Sequence, residues 1–394
     1  MSIEPPRAAI VGIGATDFSA RSGRSELELA CQAILAALDD AGIDPGEVDG
    51  LVRFGASQRR ASEGAVAHAL GLGGLSYWSE VDLGGGASAA LVGHAAMAVG
   101  TGAARCVVGY RALNGRSGAR PGTSQTSAAL EDIDPHYRDF LVPHGLTSPV
   151  QMYALIARRY LHHYALPGNA LGGVARSFRR HADRNPNAQL YGRPLGPEEY
   201  DESEVISSPL RKLDCCLQTD GAAAFVVVPA DRAGDLAQPP AYVRGSVQAS
   251  MANQPGFLYS FVGAGDVLRT PAEEAAGRLY ARAGLTAGDV DVAQLYDCFS
   301  ITAVLAAEAY GFCAPGEGAQ RAAAGMFDLG GGIPANTAGG SFGEGYIHGV
   351  NHVLEGVRQI RGRSTSQVPG AATCLVTGGM PVPTSAVLLT KDAA

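Results

Sequence analysis

The hydrophobic pattern begins with an apolar run that is followed by an amphipathic one. Residues 8–14 are apolar and end in glycine, a pattern typical of a buried strand. Ser25 starts a Ser-x-x-Glu capping box, and apolar residues then recur at helical spacing as far as Leu38, before Gly42. A new apolar run starts at residues 49–52. The alternation of strand, helix and strand predicts a layered α/β fold.

Similar elements recur along the chain and divide it into two halves. Residues 87–102 are mostly small, which favours a central helix that packs closely against its neighbours. Further strands are predicted at 105–109, 242–247, 292–295, 373–379 and 385–389, and a turn followed by a strand at 214–228. Further helices are predicted at 271–284 and 302–310. We predict an N-terminal half at 1–238 and a C-terminal half at 239–394, with the boundary near the Pro239-Pro240 pair.

A long segment interrupts this rhythm in the first half. Residues 112–210 are richer in Arg, Pro, His and Tyr than the segments on either side. We interpret them as an inserted region, with helices at about 149–164 and 168–184.

Composition and charge argue against several classes of function. The net charge of −8 argues against a nucleic-acid partner, and no apolar run reaches the roughly 20 residues of a membrane helix. The odd count of seven cysteines and a start too polar for a signal peptide indicate reduced thiols in the cytoplasm. Because neither CxxC nor HExxH spacing occurs, we expect no metal site in this chain.

Several short motifs carry a resemblance to one superfamily. Residues 213–216 (Leu-Asp-Cys-Cys) precede 219–224 (Thr-Asp-Gly-Ala-Ala-Ala), and 296–300 read Tyr-Asp-Cys-Phe-Ser. Residues 336–340 (Asn-Thr-Ala-Gly-Gly) precede 345–349 (Gly-Tyr-Ile-His-Gly). Together they resemble the sterol-carrier-protein-X-type thiolases and the lipid-transfer-protein thiolase homologues. The resemblance implies the thiolase fold, in which two similar halves form a five-layer αβαβα sandwich with the site where the halves meet.

The chain departs from thiolases at the residues that perform thiolase chemistry. Where the resemblance implies a nucleophilic cysteine at the start of a central helix, residues 84–88 read Gly-Gly-Gly-Ala-Ser. No second cysteine lies at 375–379, and Tyr346 replaces the histidine of the Gly-His-Pro motif. Tyr296 heads another site motif. This pattern resembles the thiolase-like aldolases of steroid side-chain degradation.

That resemblance implies a retro-aldolase acting on a bulky, steroid-type β-hydroxyacyl-CoA. The products would be a ketone and a shorter acyl-CoA such as propionyl-CoA, and no cysteine nucleophile is needed because no acyl-enzyme forms. The coenzyme A thioester is then a substrate, with no covalently bound cofactor. A homodimer and a small partner protein with an OB fold and a zinc ribbon are also implied. The basic cluster Arg176–Arg184 either holds the phosphates of coenzyme A or is a solvated helix face.

Two tyrosines are the expected catalytic residues. We assign Tyr346 as the base towards the β-hydroxyl and Tyr296 as a hydrogen-bond donor or proton source for the enolate, and the reverse assignment stays open. A tyrosinate at neutral pH needs its pKa lowered by roughly 3 units, or about 4 kcal/mol, part of which a second tyrosine supplies as a hydrogen-bond donor. The supporting candidates are His348, Asp297, Cys298 and Ser88. The expected substrate pocket, in which the glycines leave room for a bulky substrate, comprises Gly84, Gly85, Gly86, Asn336, Gly339 and Gly340.

Two alternatives to the aldolase are open at this point. One is a non-catalytic thiolase-like subunit that binds acyl-CoA or lipid and scaffolds a partner. The other is an acyl-CoA acyltransferase, a thiolase, that uses Cys298 or another thiol as its nucleophile. The tyrosine pair favours the aldolase, because retro-aldol cleavage needs a proton acceptor and an enolate-stabilising site but no thiolate.

Overall fold

The computed structural model describes residues 7–55, 60–82, 84–118, 139, 142–251, 268–381 and 383–393. The strands are β1 (Ala8–Ala15), β2 (Gly50–Phe54), β3 (Tyr77–Val81), β4 (Val107–Asn114), β5 (Val205–Ser207), β6 (Leu210–Arg211), β7 (Asp220–Pro229), β8 (Ala241–Ala249), β9 (Val292–Gln294), β10 (Thr373–Gly378) and β11 (Thr384–Thr390). The helices are α1 (Glu26–Ala41), α2 (Glu63–Leu70), α3 (Ala87–Gly100), α4 (Pro149–His163), α5 (Gly172–Arg184), α6 (Pro197–Glu202), α7 (Pro271–Ala283), α8 (Ser300–Ala309), α9 (Gly318–Ala323), α10 (Gly340–Gly343) and α11 (Val350–Ile360). None of these helices combines the length and the apolar composition that crossing a bilayer requires.

The first helix forms as its sequence predicts. The Ser25 hydroxyl accepts from the amide of Glu28 at 3.2 Å, and the Glu28 carboxylate accepts from the amide of Ser25 at 2.7 Å. Gly42 ends the helix with a left-handed φ of 68°. Gly12 on β1 allows α1 to lie directly against the sheet, because a Cβ there would stand only 2.8 Å from the Cβ of Ala41.

Nine strands form one mixed sheet in the order β3-β2-β4-β7-β1-β8-β11-β10-β9. Moving outward from the β1–β8 pairing, the first half runs β1-β7-β4-β2 and the second runs β8-β11-β10-β9. Each series has two antiparallel pairings followed by a parallel one. The repeated order agrees with two similar halves. The division at 238/239, which lies between β7 and β8, stays a prediction.

Helices cover the sheet in layers. The outer face of the first-half strands packs on α1, and their inner face packs on α3 and α11. The same two helices pack against the second-half strands, whose other face is covered by α7 and α8. The layers therefore run helix, strand, helix, strand, helix, which is the predicted five-layer α/β sandwich. The central layer brings the amino end of α3 into contact with both halves.

The inserted region packs over the second half. Its predicted helices at about 149–164 and 168–184 correspond to α4 and α5, and α5 packs against α9 and α10. Residues 112–114 belong to β4 rather than to the insertion, because the strand continues its pairing with β7 as far as Asn114. Residues 119–138, 140 and 141 of the predicted insertion lie outside the described residues.

Candidate active site

The two tyrosines predicted to be catalytic meet in space. Tyr296 follows β9 and Tyr346 lies between α10 and α11, and their phenolic oxygens are 2.8 Å apart. The Tyr296 amide donates to the Thr377 hydroxyl at 2.9 Å, and the Tyr346 amide donates to the Thr219 hydroxyl at 2.8 Å. Segments from both halves therefore hold the pair in place.

Gly85 lies directly against the Tyr296 ring. A Cβ at Gly85 would stand 2.6 Å from Cε1 of Tyr296 and closer still to its hydroxyl. A cysteine at this position is therefore sterically incompatible with the observed tyrosine. The expectation that the glycines leave room for a bulky substrate is wrong at Gly85, because the phenol of Tyr296 fills that space.

The tyrosine pair lines a cavity of about 1010 Å³, which is large enough for a drug-sized ligand. Six of the predicted residues line it: Gly84, Gly85, Tyr296, Cys298, Tyr346 and His348. Much of the remaining wall is apolar and includes Phe18, Leu113, Tyr153, Leu195, Phe299 and Phe342. The wall thus combines a small polar centre with a large apolar surface.

The charged side chains on the cavity wall are all basic within the described part of the chain. They are Arg116, Arg179, Arg193 and Lys212. Arg179 is buried and its Nη1 donates to the carbonyl of Arg193 at 3.2 Å. A cavity with four cations and no carboxylate in a protein of net charge −8 favours an anionic ligand.

Both phenols are neutral at neutral pH. Burial raises the pKa of Tyr296 well above its ordinary value, and the neighbouring Tyr346 adds to the rise. Burial likewise raises the pKa of Tyr346, with contributions from Cys216 and Cys298, while its hydrogen bond with Tyr296 and the charge of Arg111 oppose the rise. The pair therefore holds no standing tyrosinate at neutral pH.

His348 packs against Tyr346 with ring centres 4.5 Å apart. Its backbone has a left-handed φ of 52°. Burial, together with the charge of Arg111, lowers the pKa of His348 well below its ordinary value. His348 is therefore a neutral imidazole on the cavity wall, able to accept or donate a hydrogen bond but not to carry charge at neutral pH.

The cavity thiols are poor nucleophiles. Burial raises the pKa of Cys298 to about 12, the pKa of Cys215 to about 12, and the pKa of Cys216 well above its ordinary value. A thiolate is the reactive form of cysteine. Cys374 is fully buried in β10, and burial raises its pKa as well. These surroundings argue against the acyltransferase alternative.

Asp297 and Ser88 have structural partners. The Asp297 carboxylate is fully buried, accepts from the Ser341 amide at 2.9 Å and lies 3.2 Å from Nε2 of His352. Ser88 is fully buried in α3 and donates to the Gly85 carbonyl at 3.2 Å. Neither side chain lines the cavity, so both act behind its wall.

Four residues expected in the substrate pocket lie outside it. Both polar ends of the Asn336 side chain bond the backbone of Leu295, at 2.7 and 2.9 Å, which fixes the segment before Tyr296. A Cβ at Gly339 would stand 2.8 Å from Cα of Ala182, and a Cβ at Gly340 would stand 2.8 Å from Nδ2 of Asn336. The Gly86 carbonyl accepts from the Ser385 hydroxyl at 2.5 Å. These residues support the wall by close packing instead of touching a ligand.

Sequence reasoning missed three residues of the site. Tyr153 on α4 lines the cavity with its ring centre 4.6 Å from that of Phe299, and Thr219 anchors Tyr346. Arg111 is a buried cation on β4. A signal existed for Arg111, since an arginine within an otherwise apolar strand is unusual and marks a special environment.

A thiolase-type sandwich whose residues 84–88 contain no cysteine, and whose Gly85 packs against a pair of phenols, defines the class as thiolase-like. The thiolase C-terminal domain-like family matches residues 259–391. The chain is 47% identical over 386 residues to the 17-hydroxy-3-oxo-4-pregnene-20-carboxyl-CoA lyase of Mycobacterium tuberculosis, covering 97% of this chain and 99% of that protein. It is 45% identical over 394 residues to the steroid side-chain-cleaving aldolase of Thermomonospora curvata, covering 100% of each.

Solved structures agree with these relatives. The structure described as "Ltp2-ChsH2(DUF35) aldolase" has a TM-score of 0.90 and 44% identity, and covers 99% of each chain. Human mitochondrial 3-ketoacyl-CoA thiolase has a TM-score of 0.67 at 12% identity over 98% of each chain, a likeness of fold alone. The chain belongs to the thiolase-like aldolases of the thiolase superfamily.

Proposed function

We propose that the chain is a carbon–carbon lyase that cleaves a bulky, steroid-type β-hydroxyacyl-CoA into a ketone and a shorter acyl-CoA such as propionyl-CoA. The observation that carries the proposal is the pair of phenols 2.8 Å apart on the wall of the cavity. The relatives named as a steroid-CoA lyase and a steroid side-chain-cleaving aldolase support the same reaction.

The phenol pair supports a balanced proton relay. The β-hydroxyl gives its proton to the Tyr346 oxygen as the Cα–Cβ bond breaks and the ketone forms. Tyr346 passes its own proton to Tyr296 across their hydrogen bond. Tyr296 protonates the thioester enolate at Cα, which completes the shorter acyl-CoA. Both phenols are neutral before and after the reaction, because burial raises the pKa of each.

The cavity offers separate surfaces to the two parts of such a substrate. The cations Arg116, Arg179, Arg193 and Lys212 suit the phosphates of coenzyme A, and the apolar wall suits a steroid. The predicted basic cluster Arg176–Arg184 is divided between the cavity wall and the solvent. Arg179 faces the cavity, whereas Arg180 pairs with Asp328 at 2.6 Å and belongs to a solvated face. The coenzyme A thioester is a substrate, and no covalently bound cofactor is proposed.

The proposed assembly is a homodimer that binds a small partner with an OB fold and a zinc ribbon, in the cytoplasm. The strand β3 forms one edge of the sheet and carries Trp78, which is 65% exposed. An exposed strand edge with a large apolar side chain favours pairing with a second copy. The solved relative described as "Ltp2-ChsH2(DUF35) aldolase" supports a partner subunit.

The proposal is tested by mixing the purified chain, with and without the partner, with a steroid β-hydroxyacyl-CoA and following products by mass spectrometry. We expect a steroid ketone and propionyl-CoA, with a rate that changes little between about pH 6 and pH 9 because both phenols are neutral. Tyr296→Phe and Tyr346→Phe should each lower kcat by about 100-fold or more. Substrate binding without cleavage would instead favour the scaffold alternative, and near-normal turnover by both variants would overturn the tyrosine assignment.

A further inference from the structure

A buried cation that forms no ion pair with a carboxylate of the described residues is separated from Tyr346 by two aromatic rings. Arg111 is 8% exposed, and its Nη1 donates to the carbonyls of Phe54 and Gly55 at 3.2 and 3.4 Å. Its Nε has no hydrogen-bond partner, and no carboxylate of the described residues forms an ion pair with it. Burial lowers the pKa of Arg111 to about 10, so the side chain is still cationic at neutral pH.

A second buried arginine nearby is paired with two carboxylates. Arg53 on β2 is 4% exposed, and its guanidinium lies 3.2 Å from Glu63 and 2.6 Å from Glu80. Burying a charge without such compensation is costly, which makes an uncompensated guanidinium unusual in a folded protein. The carboxylates of Glu26 and Asp82 act on Arg111 without forming an ion pair with it. Two aromatic rings separate its guanidinium from the phenol of Tyr346.

A row of rings connects Arg111 to the phenols. Its guanidinium carbon lies 4.6 Å from the ring centre of Phe54. The Phe54 and His348 ring centres are 5.2 Å apart, and those of His348 and Tyr346 are 4.5 Å apart. Tyr346 then contacts Tyr296 through the phenol–phenol hydrogen bond.

Other ionisable groups near this row of rings also shift the pKa of Arg111 and of the two phenols. Glu26, Tyr346 and Asp82 raise the pKa of Arg111, and Arg53 lowers it. Those that act on the two phenols, besides each other and Arg111, are Cys216, Cys298 and Tyr153. The thiols and the third phenol are neutral because burial raises the pKa of each. Arg111 is thus the cation whose field acts on both Tyr346 and His348.

We propose that Arg111 is a positioning residue whose fixed charge stabilises the negative charge that crosses the Tyr346–Tyr296 pair during carbon–carbon cleavage, and acts on His348 beside that pair. This inference rests on the proposed retro-aldol function. A fixed cation in a low-dielectric wall stabilises charge that develops in the transition state and requires no reorganisation to do so. Substrate and product carry no such charge at this place, so the effect falls on kcat and not on KM.

Kinetics of Arg111→Gln, Arg111→Lys and Arg53→Gln test the first part. We expect Arg111→Gln to lower kcat by about 10- to 100-fold with KM within about twofold. Arg111→Lys keeps the cation and should recover most of the loss. Arg53→Gln is the matched control, because it removes a buried arginine of the neighbouring strand and should lower stability but leave kcat per folded molecule near normal. Equal kcat values for Arg111→Gln and Arg53→Gln would overturn the proposal.

The second part has a readout that needs no turnover. Nitrogen-15 NMR of histidine-labelled protein, assigned with His348→Gln, follows the titration of His348. Loss of the Arg111 charge should raise the pKa of His348 in Arg111→Gln but leave it unchanged in Arg53→Gln. An unmoved His348 titration in Arg111→Gln would overturn the inference even if the aldolase is active. An inactive wild-type protein would defeat the proposed function, whereas the titration would still decide the role of Arg111.

Discussion

Gly85 and Tyr296 depend on each other at the scale of single residues. The tyrosine ring occupies the volume that a side chain at Gly85 would need, so the glycine and the phenol fit only together. A cysteine introduced at Gly85 alone would not fit beside this ring. It would displace Tyr296 from its hydrogen bond with Tyr346.

We predict that Gly85→Ala inactivates the protein while leaving it folded. The added methyl group forces Tyr296 to shift, which should lower kcat at least about 100-fold and lower stability by about 1–3 kcal/mol. Gly277→Ala is the control, because a Cβ at this position of α7 meets nothing within 4 Å. That helical substitution should keep kcat and raise stability by about 0.5–1 kcal/mol. Steady-state kinetics and urea unfolding measure both effects, and an active Gly85→Ala would contradict the packing argument.

At the scale of elements, α11 holds the two tyrosine-bearing segments. The Asn351 amide donates to Glu344 at 2.8 Å and to the Gly345 carbonyl at 3.1 Å, next to Tyr346. His352 lies 3.2 Å from the carboxylate of Asp297, next to Tyr296. One buried helix therefore sets the distance between the phenols.

Glu344 makes stability depend on pH. Burial raises its pKa to about 7 against the opposing charge of Arg358, whereas the unfolded chain has the ordinary value of 4.5. The protonated, neutral carboxyl of Glu344 stabilises the fold. This contribution is fully present below about pH 4.5 and is lost as pH rises through about 7, which lowers the free energy of unfolding by roughly 3 kcal/mol. Glu344→Gln should remove this decline.

Urea unfolding at about pH 5 and pH 8 measures the effect. The wild type should lose stability between the two values, and Glu344→Gln should lose much less. Glu47→Gln, which changes a half-exposed carboxylate paired with Arg232, is the control and should follow the wild type. An unchanged decline in Glu344→Gln would assign the pH dependence to other groups.

At the scale of the whole molecule, the sheet has an edge that suits a second copy. Trp78 on β3 is a large exposed apolar residue at that edge. Trp78→Lys should shift the population towards monomer at low micromolar concentration, because lysine at a strand edge opposes pairing. Sedimentation velocity measures the mass. Leu155→Lys on α4, where the leucine is 49% exposed, is the control and should stay dimeric; equal masses for the two variants would exclude β3 as the interface.

The sequence by itself determined most of the elements and the class of the chemistry. Capping boxes, glycines and hydrophobic periodicity are local properties, so α1, α4, α7 and most strands follow from them. Helix α11 was not predicted, because buried polar residues such as Asn351, His352 and Glu355 obscure its apolar pattern. The absent cysteine and the two tyrosines were visible in short motifs.

Only the tertiary structure decided how these residues act. It brings Tyr296 and Tyr346 within 2.8 Å, and it moves Asn336, Gly339 and Gly340 from the expected pocket to its supporting wall. It also leaves Arg111 buried without an ion pair to a described carboxylate, two aromatic rings from Tyr346. The physical reason is that distances, burial and pKa shifts arise from contacts between segments far apart in the chain, which no local pattern encodes.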